Sequence, residues 1–237
     1  MKKTIIITGA GKGLGRAITL RLAQMEHRLL LVGRNEADLA QLAEQAKEAG
    51  SEATYVVADL VRPESAGLIV ETCIQAYAGI DVLINNAGVA NPFSIESTPV
   101  EQWDLMMAVN ARAPFLLCKK AIPYLRQSTQ ATIINISSVV GRKGYVNQAA
   151  YTASKHALTG FTKALAKEVQ PMGIRVHLIS PGGVATETLA RTRPDLTQNG
   201  LMQPEEIAEV IAFLLSMRGN AMIDEINLRR LNATPFD

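Results

Sequence analysis

Tyr151 and Lys155 are the residues whose types and spacing point most directly to chemistry. They are four positions apart in a segment whose apolar residues recur with a helical period, so their side chains should share one helix face. A free phenol has a pKa of about 10 and needs help to move a proton at neutral pH. A lysine cation within about 4 Å would lower that pKa. The pair predicts proton transfer to or from a substrate oxygen, although Tyr151 alone could equally be an amphipathic surface residue.

A glycine-rich turn follows the first predicted strand and leads directly into a predicted helix. It reads Thr8-Gly9-Ala10-Gly11-Lys12-Gly13-Leu14-Gly15. Glycines let the backbone turn sharply and approach a pyrophosphate, whose charge the amides and dipole of a helix N-terminus stabilise. The strict G-x-G-x-x-G spacing is not met, because Leu14 stands where the third glycine, counted from Gly9, would be. Taken alone, the sequence here could be a turn and nothing more.

The elements that must position these residues alternate between short β-branched runs and longer runs of helical period. The predicted strands are 4–8, 29–32, 53–58, 81–85, 132–137, 174–180 and 223–228, and the predicted helices are 14–25, 37–49, 64–78, 100–124, 149–170 and 204–216. This rhythm is typical of βαβ units, and strands that read as continuous apolar runs belong to a parallel sheet covered on both faces. We therefore predict an α/β Rossmann-type fold with a doubly wound parallel β-sheet.

The chain of 237 residues has the length of one such unit, and it contains no repeat or linker that would divide it. We predict a single dinucleotide-binding domain over 1–237. The longest irregular segment is 186–203. A loop of that length in a compact domain is usually functional, so we expect it to be a substrate lid.

Composition excludes several classes of protein. Lysines and arginines number 24 and acidic residues 22, and no basic run occurs beyond the first three residues, so we expect no nucleic-acid or membrane partner. The apolar runs are too short to span a bilayer, and no signal peptide is visible. Cys73 and Cys118 lie in predicted helices, which predicts no disulfide framework and a reducing cytoplasm. The three histidines share no ligand spacing, so we expect no metal.

The pattern T-G-x-x-x-G-x-G of the glycine turn resembles that of the short-chain dehydrogenase/reductase family. The resemblance extends over nearly the whole chain, because four further motifs follow in the family's order. They are Asn85-Asn86-Ala87-Gly88, Asn110, Ser138 with Tyr151-x-x-x-Lys155, and Pro181-Gly182 with Thr186. The final segment, 220–237, lacks the glycine-rich ending of many relatives. It is more similar to the branch that contains sepiapterin reductases and small carbonyl or 3-ketoacyl-carrier-protein reductases.

The resemblance implies a catalytic role for each of four residues. A nicotinamide cofactor would supply a hydride to a carbonyl carbon while Tyr151 protonates the developing alkoxide and Ser138 holds the same oxygen. Lys155 would bind the nicotinamide ribose and lower the pKa of Tyr151, and Asn110 would support a water chain to Lys155. Ser138 is preferred to Ser137 because its spacing to Tyr151 fits the family better. Ser137 is then interpreted as a strand-end hydrogen-bonding residue.

The choice of nicotinamide depends on the end of the second strand, where dinucleotide folds that bind NAD place an acidic residue. This chain has Gly33-Arg34 there. With no carboxylate to repel a 2′-phosphate, and with Arg34 and Lys12 as charge-assisted donors, the sequence predicts NADP, with NADPH preferred over NADH. In the alternative interpretation, both cations are simply solvated. Asp59, by resemblance, contacts the adenine, or else it caps the end of a strand.

The predicted cofactor-binding residues combine the glycine turn, the strand ends and the catalytic helix. They are Gly9, Gly11, Lys12, Gly13, Leu14, Gly15, Arg34, Asp59, Leu60, Asn86, Ala87, Gly88, Tyr151, Lys155, Pro181, Gly182, Val184 and Thr186. The substrate should contact 89–93, 139–145 and the lid. The apolar side chains of these segments predict a largely apolar ligand. Four cations there could bind an anion or be solvated, namely Arg142, Lys143, Arg191 and Arg193.

A homodimer or homotetramer is expected because the helices 100–124 and 149–170 carry more apolar positions than one sheet face can cover. Five of these positions are Leu105, Met106, Val109, Leu116 and Leu117. The leading function is an NADPH-dependent oxidoreductase that interconverts a carbonyl and an alcohol. A catalytically silent dinucleotide-binding regulator is the alternative, against which the complete Ser138, Tyr151 and Lys155 set argues. Epimerisation or dehydration on this fold usually needs a longer chain. Ketoacyl thioester, pterin and diketone substrates all stay open.

Overall fold

A computed structural model describes residues 2–193, 196 and 200–235. Within these residues, seven strands form one sheet in the order β3-β2-β1-β4-β5-β6-β7, and each neighbouring pair is parallel. The strands are β1 Thr4–Thr8, β2 Arg28–Gly33, β3 Glu52–Val57, β4 Val82–Asn85, β5 Thr132–Ile136, β6 Arg175–Pro181 and β7 Glu225–Leu228. The predicted doubly wound parallel sheet is confirmed. A single domain over the whole chain stays a prediction.

The helices cover both faces of the sheet. They are α1 Gly13–Ala23, α2 Glu36–Glu48, α3 Ser65–Tyr77, α4 Val100–Met107, α5 Ala113–Leu125, α6 Ala149–Val169, α7 Glu187–Thr192 and α8 Pro204–Ser216. Ile5 and Ile7 of β1 pack into the core on one face, and Ile6 packs into the core on the other. All three are fully buried, and burying each stabilises the fold by about 1.5–3 kcal/mol. None of the described helices has the length and apolar character needed to span a bilayer.

The strand order reverses between β1 and β4. The chain runs outward from β1 to β3 and then returns to place β4 on the other side of β1. The connections that leave β1 and β4 therefore separate, and a crevice opens at the carboxyl ends of these two strands. Ligands of open α/β sheets bind at such a switch point.

Two of the predicted elements differ in the structure. The single helix predicted over 100–124 is interrupted by a π-helical turn, Ala108–Arg112, between α4 and α5. The helical period of apolar residues does not distinguish a π turn from an α turn, so no pattern in the residues indicated it. The segment 186–203 is also not wholly irregular, because Thr186 caps α7 by accepting a hydrogen bond from the Leu189 amide at 3.3 Å. Residues 194, 195 and 197–199 of the predicted lid lie outside the described residues.

The apolar positions offered for a subunit interface are only partly available. Met106, Val109 and Leu117 are buried within the protomer, while Leu105 and Leu116 are half-buried. Three of the five side chains are therefore covered within the protomer and do not support a subunit interface. The prediction considered burial by one sheet face, whereas the neighbouring helices also bury these side chains.

Candidate active site

A cavity of about 930 Å³ is lined by the segments that follow the carboxyl ends of the strands. All of the predicted cofactor-binding residues and Ser138 line this cavity, so residues from seven separate segments meet there. Its size is within the range of small-molecule sites. Asn110 is the exception among the predicted site residues, because it is fully buried and does not line the cavity.

The glycine turn is packed so closely that side chains would not fit. Gly9 has φ of +64°, and a Cβ on it would lie 2.8 Å from the Ala87 Cα. A Cβ on Gly15 would lie 2.0 Å from the Gly9 carbonyl oxygen. The N-cap of α1, Lys12, makes no side-chain hydrogen bond to the first turn, so the amides there are left for an anion. This cradle fits a pyrophosphate.

Hydrogen bonds join the glycine turn to the Asn-Asn-Ala-Gly motif across the switch point. The Thr8 hydroxyl accepts from the amides of Asn86 and Ala87, each at 3.1 Å. The Asn86 side-chain amide donates to the carbonyl oxygens of Thr8 at 2.9 Å and Gly9 at 3.2 Å. Two motifs 78 residues apart along the chain thus form one rigid wall, and Asn86 positions the glycine turn as well as lining the cavity.

Tyr151 and Lys155 lie on α6, and Ser138 lies on the turn that follows β5. The Lys155 Nζ is 6.0 Å from the centre of the Tyr151 ring and donates to the Ile136 carbonyl oxygen at 2.8 Å. The Ser138 hydroxyl caps the 3₁₀ turn Val139–Gly141, accepting from the Val140 amide at 3.3 Å. The three side chains expected to act together therefore line the same part of the cavity.

Burial dominates the proton affinities at this point. It lowers the pKa of Lys155 to about 8, which brings the ammonium close to titration. It raises the pKa of Tyr151, while a hydrogen bond with Ser138 acts in the opposite direction. The Tyr151 pKa is therefore raised and not lowered as expected, because desolvation of the phenolate is the largest effect. The Lys155 cation lies over the ring and not beside the hydroxyl.

Ser137 and Asn110 both hold the catalytic helix in place. The Ser137 hydroxyl shares a 3.0 Å hydrogen bond with Thr159 and is buried, in keeping with the structural role preferred for it. Asn110, in the π turn, accepts from the Val89 amide at 2.8 Å and donates to the Val89 carbonyl at 2.8 Å and to Ser154 at 2.9 Å. Asn110 is thus a positioning residue, and its part in a water chain stays a prediction.

The end of the cavity beside the carboxyl end of β2, where the family resemblance places the adenine and which is called the adenine end below, contains a carboxylate that the sequence prediction did not place there. Asp38 of α2 lines the cavity, and its Oδ2 lies 3.8 Å from the Lys12 Nζ. Arg34, which follows β2, is exposed and lines the same region. Asp59 accepts a hydrogen bond from the Val61 amide at 3.1 Å, so it forms the strand-end turn considered as an alternative. The end of β2 itself carries no carboxylate, but α2 supplies that of Asp38 close to Lys12, which the expectation did not include.

The opposite end is formed by residues that follow β6. The Gly182 amide donates to the Leu228 carbonyl at 2.8 Å, and Val184 forms a parallel bridge with Met202. A Cβ on Gly13 would lie 3.3 Å from the Thr186 Cγ2, so this segment also contacts the glycine turn. The segment after β6 therefore closes the side of the cavity where the motif comparison places the nicotinamide.

The four candidate anion-binding cations divide into two pairs. Arg142 forms an ion pair with Glu225 at 3.9 Å, and Arg191 donates to the Ala90 carbonyl at 3.3 Å. Lys143 and Arg193 line the cavity, and their cationic groups each lie 5.7 Å from the centre of the Tyr145 ring. The second pair therefore belongs to the lining of the cavity, whereas the first pair does not.

Sequence reasoning missed part of the wall. Gln148 and the C-terminal segment, which is defined here as 229–234, contribute lining residues. The unusual ending of the chain was visible in the sequence, but its place in space was not. Among the described residues, no group of three or more histidine, cysteine, aspartate or glutamate side chains could hold a metal.

The parallel sheet, the crevice at its switch point and the Ser-Tyr-Lys group define a class of α/β oxidoreductases. The family model described as short chain dehydrogenase matches residues 3–197. The chain therefore belongs to the short-chain dehydrogenase family, and it is an oxidoreductase of that family.

Relatives and solved structures agree over almost the full length of the chain. An uncharacterized oxidoreductase of Staphylococcus epidermidis is 31% identical over 228 residues, which cover 96% of this chain and 97% of that protein. The 3-oxoacyl-acyl-carrier-protein reductase FabG of Thermotoga maritima is 32% identical over 222 residues, 90% of each chain. An alcohol dehydrogenase from the archaeon Thermococcus sibiricus, complexed with 5-hydroxy-NADP, superimposes with a TM-score of 0.91 at 25% identity, covering 99% of both chains. A metagenomic short-chain oxidoreductase in complex with NADP superimposes with a TM-score of 0.85 at 29% identity, covering 97% of both chains.

Proposed function

We propose that this protein is an NADPH-dependent oxidoreductase that reduces a carbonyl to an alcohol, or catalyses the reverse reaction. The observation that carries the proposal is the position of Ser138, Tyr151 and Lys155 in the same cavity as the glycine cradle. The two solved relatives that bind NADP or 5-hydroxy-NADP support the choice of ligand. The cofactor would supply the hydride, and the protein would supply binding, orientation and the proton.

Each residue of the set has one task in this proposal. Tyr151 donates its hydroxyl proton to the substrate oxygen, and its raised pKa keeps the phenol protonated at neutral pH. Ser138 donates a hydrogen bond to the same oxygen, where negative charge grows during reduction. Lys155 is held by its hydrogen bond to the Ile136 carbonyl oxygen; it would bind the nicotinamide ribose and replace the proton that Tyr151 loses. Asn110 bonds to both Val89 and Ser154 of α6, so it holds the helix that carries Tyr151 and Lys155 in place.

The preference for NADPH rests on two cations at the adenine end. Arg34 and Lys12 can both reach a 2′-phosphate as charge-assisted donors. Asp38 opposes them, since it lies 3.8 Å from the Lys12 ammonium. We propose that the two cations outweigh the one carboxylate, and that Asp38 reduces the preference for NADPH without reversing it.

A homodimer or homotetramer is also proposed, on a different set of residues from that first expected. Val100, Trp103 and Phe115 are 69%, 40% and 46% exposed on α4 and α5. Phe115 packs edge-on against Phe161 of α6, with ring centres 5.8 Å apart. Two neighbouring helices thus share one apolar surface suited to a two-fold contact. Sedimentation that shows only monomer at micromolar concentration would overturn the proposed oligomer.

We also propose that the protein is cytoplasmic. Cys73 and Cys118 are both buried and form no disulfide, which fits a reducing compartment.

The function is tested by following NADPH consumption with a panel of carbonyl compounds that includes an acyl-carrier thioester, a pterin and an aromatic diketone. Tyr151→Phe should lower kcat/KM by about 10²- to 10⁴-fold, because the proton donor is lost, while NADPH binding changes little. Tyr145→Phe is the matched control, since it removes a hydroxyl from another cavity-lining ring and should retain turnover. Tight NADPH binding without reduction of any carbonyl would favour the silent regulator instead.

A further inference from the structure

The C-terminal segment forms a fixed part of the cavity wall. It leaves β7 beside Gly182, and the Arg229 Nη1 donates to three of its carbonyl oxygens, those of Arg230 at 3.1 Å and of Leu231 and Ala233 at 3.0 Å. The Ala233 amide also donates to the Arg230 carbonyl at 3.0 Å. The guanidinium of Arg229 is therefore engaged in folding the segment over the ends of the last two strands.

Arg230 is held in a different way. Its stem lies against the backbone after β6, because a Cβ on Gly183 would be 3.2 Å from the Arg230 Cδ. The same Cβ position is 3.2 Å from a methyl group of Leu201 and 3.5 Å from one of Leu189, so apolar side chains lie beside the stem of Arg230. Arg230 is half-buried and lines the cavity. Within the described part of the chain, its guanidinium makes no hydrogen bond or ion pair.

Few acidic side chains line the cavity near Arg230. Among the described lining residues, the acidic ones are Asp38, Asp59 and Glu187. The first two lie at the adenine end, and Glu187 is exposed. An anion held by Arg230 would therefore meet one opposing carboxylate among the described lining residues on this side.

We propose that Arg230 is the anion-binding residue of the substrate site, and that the substrates are carbonyl compounds that carry a carboxylate or phosphate group. A guanidinium offers a planar pair of N–H donors that matches either anion, and a stem packed on Gly183 fixes its direction at little entropic cost. The proposal rests on the proposed function and adds to it the substrate class. The proposal also assigns a role in substrate binding to the C-terminal segment.

The test compares charged and neutral partners of the same carbonyl compound. A β-keto acid is paired with its methyl ester, and dihydroxyacetone phosphate with dihydroxyacetone, so that the two arms separate a carboxylate from a phosphate. Arg230→Met keeps an apolar stem on Gly183 and removes the charge, Arg230→Lys keeps the charge without the planar donors, and Arg126→Gln removes an exposed cation elsewhere.

We expect the wild type to favour the charged member of at least one pair. Arg230→Met should lower kcat/KM for that member by about 10- to 100-fold, the usual loss of a charge-assisted hydrogen bond. Its activity on the neutral member and its KM for NADPH should stay unchanged. Arg230→Lys should be intermediate, and Arg126→Gln should behave as wild type. Equal losses on both members, no preference for a charged member in the wild type, or a raised KM for NADPH would each overturn the proposal.

Calorimetric binding of glutarate and glycerol phosphate separates failure of this inference from failure of the proposed function. These anions cannot be reduced, so their binding does not require turnover. If either binds the wild type and Arg230→Met abolishes that binding, the anion site stands even where no carbonyl is reduced. If both fail to bind, or bind Arg230→Met and Arg230→Lys as tightly as the wild type, the anion site is wrong even where carbonyls are reduced.

Discussion

The two ends of the cavity are built in different ways. At the cofactor end, Gly9 and Asn86 directly follow buried central strands and are joined by hydrogen bonds to the neighbouring strand end. At the substrate end, the wall is made where the C-terminal segment meets residues after β6, with Arg230 beside Gly183 and Asn232 beside Gly200. A site formed by strand ends can be recognised in the sequence as short motifs. A wall formed by segments that are distant along the chain leaves no such motif. This is why the sequence predicted the reaction class and left the substrate open.

The largest effect expected from this comparison is at the cofactor end. Gly15→Ala would place a Cβ 2.0 Å from the Gly9 carbonyl oxygen, and both atoms belong to rigid backbone. We expect a loss of about 3 kcal/mol in the free energy of unfolding, the upper range for overpacking, together with loss of NADPH binding. Denaturant unfolding and NADPH titration measure the two.

Gly160→Ala on α6 is the control for Gly15→Ala, because, apart from the adjoining backbone of α6, no atom of the described residues lies within 4 Å of its Cβ position. It should stabilise the protein by about 0.5–1 kcal/mol through helix propensity alone. If the two variants unfold alike, the glycine turn is not the rigid element that its contacts indicate.

The same contrast explains which predictions from the sequence held. Ile5, Ile6 and Ile7 alternate between the two cores, and that pattern of continuous apolar strands was enough to predict the parallel sheet. The π turn at Asn110 was not predictable, because its apolar spacing is that of an ordinary helix. Asp38 was missed because it reaches the cofactor end from α2 instead of from the strand end, where motifs are sought.

A second prediction concerns the burial of Lys155. Burial lowers its pKa to about 8, so the reduction rate should fall about fivefold between pH 8 and pH 9 as the ammonium that resupplies Tyr151 is lost. Stability should respond in the opposite direction. The folded pKa is below the usual 10.5, so between about pH 8 and 10.5 the unfolded state binds more protons than the folded state. Lys155 therefore contributes more stability as pH rises through that window.

Lys155→Met isolates this contribution from those of the other titrating groups. The difference in unfolding free energy between wild type and Lys155→Met should shift in favour of the wild type as pH rises from 8 to 10.5. A difference that is independent of pH would show that Lys155 is not desolvated in solution, and the assignment of the alkaline limb to this residue would then be wrong.

A third prediction tests whether the substrate wall is separable from the cofactor end. Gly200 has φ of +88°, and a Cβ on it would lie 2.7 Å from the Asn232 Nδ2. Gly200→Ala should cost about 1 kcal/mol in backbone strain and displace the C-terminal segment, which raises KM for the carbonyl substrate. KM for NADPH should not change.

Gly173→Ala is matched to Gly200→Ala in backbone strain, because its φ is +74°. It differs in its surroundings, since no atom in the described part of the chain lies within 4 Å of its Cβ position. It should lose similar stability without affecting KM for the carbonyl. An equal rise in KM for the carbonyl substrate in both variants would show that this rise follows from lower stability of the protein in general. In that case, the C-terminal segment would have no specific part in the site.

The smallest expected effect concerns the choice between NADPH and NADH. The ion pair of Lys12 and Asp38 is 3.8 Å long and its lysine side chain is 63% exposed, so it contributes at most about 1 kcal/mol. Asp38→Asn should release Lys12 for a 2′-phosphate and raise the ratio of kcat/KM for NADPH over NADH by about two- to fivefold.

Glu44→Gln is the control for this prediction. It removes a carboxylate of the same helix that pairs with Lys47 outside the main cavity, and it should leave the ratio unchanged. In Lys12→Gln the effect of Asp38→Asn should shrink, because the cation through which it acts is absent. If Asp38→Asn lowers the ratio, the carboxylate does not oppose the phosphate, and the selectivity of the cofactor end must be assigned to Arg34 alone.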